Sequence, residues 1–103
     1  MNLEQLLDEF KCELNARYGD RLVNMVLYGS HARGDATADS DVDLVIVLRG
    51  AVAPGEEIDR VVDLLATFNL QYGALISVFP VSLEIFQTDS LFWRNVHREG
   101  VVV

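Results

Sequence analysis

Leu27-Tyr28-Gly29-Ser30-His31-Ala32-Arg33-Gly34-Asp35-Ala36-Thr37-Ala38-Asp39-Ser40-Asp41-Val42-Asp43-Leu44-Val45 joins the end of one apolar run to the start of the next. Asp41 and Asp43 stand two residues apart where a strand begins, so both carboxylates point to one face. Held that close, two like charges repel unless a cation lies between them. Oxygen-only ligands favour a hard ion such as Mg²⁺. Upstream, Gly29-Ser30 closes a strand and opens a turn. Glycine lets the backbone approach a ligand, free N–H groups at a helix start suit a phosphate, and the Ser30 hydroxyl adds a donor. Ten residues, His31 to Ser40, separate Ser30 from Asp41. A parallel pair needs a longer crossover, so the two flanking strands are expected to be antiparallel. A phosphate cradle then faces a metal pair across a short helical turn, a layout suited to transferring a nucleotidyl group.

Outward from this stretch, the first strand spans Arg21 to Tyr28 and the second Asp41 to Leu48. The second ends in a continuous apolar run, which predicts a central strand buried on both faces. Before them, residues 2–18 carry Leu3, Leu6, Leu7, Phe10 and Leu14 at helical spacing, and Asn2 with Gln5 resembles a capping box. After a loop marked by Gly50, Pro54 and Gly55, a second long helix runs from Glu56 to Tyr72. Ile58, Val61, Val62, Leu65 and Phe68 are read as its inward face, and Gly73 stops it. Leu75 to Ser82 is a third strand, placed at an edge or bulge because Pro80 cannot donate to a ladder. The tail, Leu83 to Gly100, reads as two short helices broken near Thr88-Asp89-Ser90. The order αβαβαβα predicts an α+β fold: one domain over residues 1–103, with a small mixed or antiparallel sheet flanked by helices.

Eight basic residues against sixteen acidic give a formal net charge of −8, and half of the 103 residues are apolar. A core can form, but non-specific nucleic-acid binding, which needs Lys and Arg to displace counterions, is not expected. The single cysteine, Cys12, excludes an internal disulfide and is read as a semi-buried small side chain. Met1-Asn2-Leu3-Glu4 has no basic region followed by an apolar stretch, and Leu44 to Leu48 is too short to span a bilayer. The expected setting is cytoplasmic, without membrane contact.

Gly-Ser, ten residues, then Asp-x-Asp resembles the signature of the polymerase-beta superfamily of nucleotidyltransferases. Gly-Ser-x-Ala-Arg-Gly and Ser-Asp-x-Asp-Leu are similar to the minimal nucleotidyltransferases, often encoded beside a HEPN-domain partner as a toxin–antitoxin pair. The resemblance implies a nucleotidyltransferase fold, ATP as substrate, and Mg²⁺, with a two-metal site allowed. It implies transfer of AMP onto a tyrosine of the HEPN toxin. By motif match, Gly29 and Ser30 hold triphosphate, Arg33 takes the motif's arginine position, and Asp41 and Asp43 bind metal and carry catalysis. Arg33 has a second reading, a surface residue paired with Asp35 or Asp41.

Active members of that superfamily add a third carboxylate from a later strand. Here the strand Leu75 to Ser82 holds no Asp or Glu, and Ser77 is the only polar side chain in its middle. Glu84 lies just beyond it, and Asp63 is read as facing solvent. The alternative function is therefore a catalytically weak or inactive antitoxin that neutralises its partner by binding alone. His31 is read as a partly exposed turn residue. The tail helix carries Arg94, His97 and Arg98, with Leu91, Phe92 and Val96 expected to dock on the core. A chain this short leaves substrate recognition to another chain, or to a second copy in a homo-oligomer.

Overall fold

Asn2 opens the first helix, its side-chain oxygen accepting the Gln5 N–H at 3.1 Å. The structure, a computed structural model, describes residues 1–103. Helix α1 (Leu3–Tyr18) is followed by a single 3₁₀ turn, Gly19–Arg21, and strand β1 (Leu22–Tyr28). The short helix α2 (Gly29–Arg33) leads by a loop to β2 (Val42–Leu48). Next come α3 (Pro54–Tyr72), β3 (Ile76–Ser82), α4 (Leu83–Phe86), α5 (Leu91–Glu99) and a two-residue strand β4 (Val101–Val102). The order confirms the α+β reading. No helix is long and apolar enough to cross a membrane.

The sheet runs β3-β2-β1-β4. β1 and β2 are antiparallel, as the short connection requires, and β2 and β3 are parallel across the α3 crossover. Pro80 therefore sits on an edge strand, where its missing N–H costs no ladder bond. β2 is central, and every apolar side chain on it is 1% exposed or less. Burying each of these is worth about 1.5–3 kcal/mol. Strand alternation sorts the core into two faces. Met25, Leu27, Leu44, Ile46 and Ile76 face Leu6, Phe10 and Leu14 of α1 and Val61, Leu64 and Phe68 of α3. Val26, Val45, Val47 and Val81 face Phe86, Trp93 and Val96 of α4 and α5.

Several local expectations change. α3 begins at Pro54, not Glu56, because proline at the first helical position loses no needed hydrogen bond. Its buried stripe is Glu57, Val61, Leu64 and Phe68, while Ile58 and Val62 are exposed. A buried glutamate occupies this stripe, a position that hydrophobic periodicity assigns to solvent. Glu57 is only 3% exposed, and its carboxylate takes Arg21 at 2.8 Å, Arg60 at 3.4 Å and the Tyr18 hydroxyl at 3.2 Å. Asp63 does face solvent, gripped by Arg17 through both oxygens at 2.7 Å. Cys12 is exposed rather than semi-buried. On α5, Trp93 and Val96 dock on the core, while Leu91 and Phe92 stay exposed. Strand β4, pairing Val101 and Val102 with Leu27 and Val26, carries no periodicity from which to be read.

Replacing Glu57 by alanine is expected to lower unfolding stability by about 2 kcal/mol, because buried charge-assisted bonds lose their acceptor. The loss stays below that of a wholly buried pair because Arg21 is 28% exposed and can rehydrate. Urea denaturation measures it, and an unmoved midpoint contradicts the structural role.

Candidate active site

Antiparallel pairing brings the end of β1 against the start of β2, with Tyr28 opposite Asp43. Gly29 follows Tyr28 directly and adopts φ +73°, a left-handed backbone that a side chain disfavours. A Cβ there would collide with the Asp43 carboxylate, lying 3.3 Å from its Cγ. Glycine is thus required twice, by conformation and by close approach. Gly29→Ala is expected to cost about 1–2 kcal/mol in backbone strain and to push the Asp43 carboxylate aside. Thermal unfolding and Mg²⁺-nucleotide binding measured together should both fall, and an alanine variant equal to the parent in both refutes this reading.

Asp43 points to the face shared with Val45 and Val47, beyond the part that α5 covers. It is half-buried, and burial raises its carboxyl above the ordinary carboxylate value. The neighbouring Asp41 charge raises it further, while His31 and Arg33 pull it down. Tyr28 is raised as well, by burial first and by Asp43 second. Asp41 lies one residue ahead of β2 and is exposed. The turn before it is closed by Ser40: the Thr37 N–H donates to Ser40 Oγ at 2.9 Å, and the Ser40 N–H donates to the Thr37 carbonyl at 3.1 Å. His31 is partly exposed and lies 3.4 Å from the Ser40 carbonyl.

Tyr28 gives α2 no side-chain cap, so first-turn N–H groups beside Asp43 have no side-chain partner. At its other end the Gly34 and Asp35 N–H groups both donate to the Ser30 carbonyl, at 3.0 and 3.1 Å. Arg33 pairs with Asp35 at 3.3 Å, as one sequence reading had it, and not with Asp41. It also reaches Glu99 on α5 at 3.9 Å, a tertiary contact with no local sequence signal.

The like-charged pair fits a hard cation, since its mutual repulsion is what a cation removes. No group of three His, Cys, Asp or Glu side chains surrounds such a position. Two carboxylates completed by substrate phosphate oxygens are the usual way Mg²⁺ is held. On β3 the residue paired with Asp43 is Ser77, exposed and neutral. Glu84 is exposed in the first turn of α4, beyond the strand's far end.

Sequence comparisons agree with this geometry. Residues 7–81 match the family described as "Nucleotidyltransferase domain", a span from within α1 through most of β3. Three proteins of Methanocaldococcus jannaschii, each named a "putative protein adenylyltransferase", are similar to the chain. One is 39% identical over all of this chain and 99% of its own length. A second is 36% identical over 80% of this chain, which spans about half of it (55%). A third is 31% identical over 75% of this chain and 77% of its own. The matched region carries the glycine that only fits against Asp43, the Asp41–Asp43 pair and the antiparallel strands that bring them together, and the chain belongs to the nucleotidyltransferase domain family.

Proposed function

We propose that the chain is a Mg²⁺-dependent nucleotidyltransferase that moves AMP from ATP onto a hydroxyl of a partner protein, a HEPN-domain toxin that it thereby neutralises. The observation that carries this reading is Asp43, packed against Gly29, level with Ser77 on β3 and beside a second carboxylate. The names of the relatives support a protein as the acceptor. Asp41 and Asp43 hold the metal, and Gly29 and Ser30 take the triphosphate through their N–H groups and the Ser30 hydroxyl. Bound Mg²⁺ supplies the positive charge that neutralises the triphosphate and its leaving pyrophosphate. Arg33 is released from Glu99 and Asp35 toward phosphate, both of its ion pairs being exposed and therefore weak. The acceptor oxygen bonds to the α-phosphorus, the α–β bridge breaks, and the hydroxyl proton passes to solvent because β3 offers no carboxylate. Mass spectrometry of the HEPN partner after incubation with ATP and Mg²⁺ should show added AMP on a tyrosine. An unmodified partner at every metal concentration rejects the reading.

Ser77 favours a second reading. With a neutral residue opposite Asp43, the chain neutralises its partner by contact alone. The Asp41→Asn, Asp43→Asn double variant separates the two in a growth assay. Transfer predicts that the toxin escapes, and contact predicts continued protection.

A further inference from the structure

Phe92, Asn95 and Glu99 follow one another at three- and four-residue steps on α5, which puts them on one helix face. Across a cavity of about 260 Å³ they meet Tyr28, Gly29 and Arg33. Gly29 also abuts Asp43, so this cavity lies next to that carboxylate, while Asp41 lines a separate one. Its lining has the composition of a nucleoside site, apolar rings with a few placed polar groups. Phe92 is 45% exposed. Asn95 is half-buried, and its Oδ1 accepts Arg98 Nη2 at 2.9 Å, which orients the amide and leaves Nδ2 free to donate.

The neighbouring cavities lack this combination. One of about 370 Å³ on the other side of Phe92 is walled by Phe79, Val81, Ile85 and Trp93, and Ser82 is its only hydroxyl. One of about 500 Å³ beside Asp41 is polar, but its Asn69 amide already donates to the Ala74 carbonyl at 3.2 Å and its Tyr72 hydroxyl to Glu9.

We propose that the cavity between α2 and α5 takes the base and ribose of the nucleotide, with Phe92 against the base and Asn95 Nδ2 donating to a ring nitrogen. These two α5 residues then set nucleotide preference. The inference rests on reading Gly29, Ser30, Asp41 and Asp43 as the triphosphate and metal site. A base stacked on an aromatic ring contributes enough that its loss is read as about a tenfold weakening.

Isothermal titration of the full chain with Mg²⁺-ATP and with Mg²⁺-tripolyphosphate tests it. The parent should bind ATP more tightly than tripolyphosphate. Phe92→Leu and Asn95→Ala should each weaken ATP about tenfold and leave tripolyphosphate unchanged. The two variants are independent, so misfolding of one, seen in its thermal melt, leaves the other to decide. Unchanged ATP binding, or an equal loss for both ligands, overturns the nucleoside site. A parent that binds both ligands equally overturns this inference alone, and one that binds neither overturns the underlying reading too.

Discussion

Asp41→Asn with Asp43→Asn should abolish nucleotidyl transfer, a loss of about 10³-fold or more, since metal-held charge is worth several kcal/mol in such transition states. The amide keeps the size of the carboxylate and loses its charge. Asp41 is exposed and Asp43 half-buried, so neither holds the core together. Burial of Asp43, and after it the neighbouring Asp41 charge, disfavour the charged form of Asp43 in the metal-free fold. In chelator-treated buffer the double variant should therefore melt no lower than the parent, and Mg²⁺ should stabilise only the parent. Thermal melts with and without Mg²⁺, beside a transfer assay, distinguish loss of chemistry from loss of structure. A variant that transfers normally removes both residues from the mechanism.

Ser77→Asp should have the opposite effect. In the parallel register Ser77 is level with Asp43 and on the same sheet face, and it is exposed. A carboxylate there can take the proton of an attacking hydroxyl. General-base catalysis contributes 10²-fold or more, so transfer should rise about 100-fold. The added negative charge should also tighten Mg²⁺ binding, and it costs little stability because the position is open to water. Initial rates over a Mg²⁺ series measure both. A flat rate at saturating Mg²⁺ means that the position does not face the reacting hydroxyl, and the missing carboxylate then explains nothing about activity.

The site was more legible than the helices around it. Gly29, Asp41 and Asp43 lie within fifteen residues, and a ten-residue connection admits only one strand pairing, so local spacing determined their proximity. Hydrophobic periodicity treats glutamate as outward and so turns the wrong face of α3 inward. Glu57 points inward since three partners from α1, the 3₁₀ turn and α3 itself satisfy it, and that satisfaction is tertiary. The docked face of α5 is tertiary in the same way. Its stripe of Trp93 and Val96 depends on where α4 ends and on the face of β2 left open, neither of which is encoded in the helix. Likewise, no pattern links Glu99 to Arg33 across sixty-odd positions, and the exposed pair Val101–Val102 has no sidedness to read. The absence of a third carboxylate was visible in the sequence. That Ser77 occupies the place beside Asp43 required the register of β2 and β3.

Nucleotidyl transfer requires attack on the α-phosphorus of ATP. Incubating the chain with Mg²⁺, the proposed HEPN-domain partner and ATP labelled either on the α- or on the γ-phosphate tests this directly. Nucleotidyl transfer predicts that the α-label appears on the partner and that the γ-label leaves in pyrophosphate. A partner labelled from the γ-phosphate, or from neither, contradicts it.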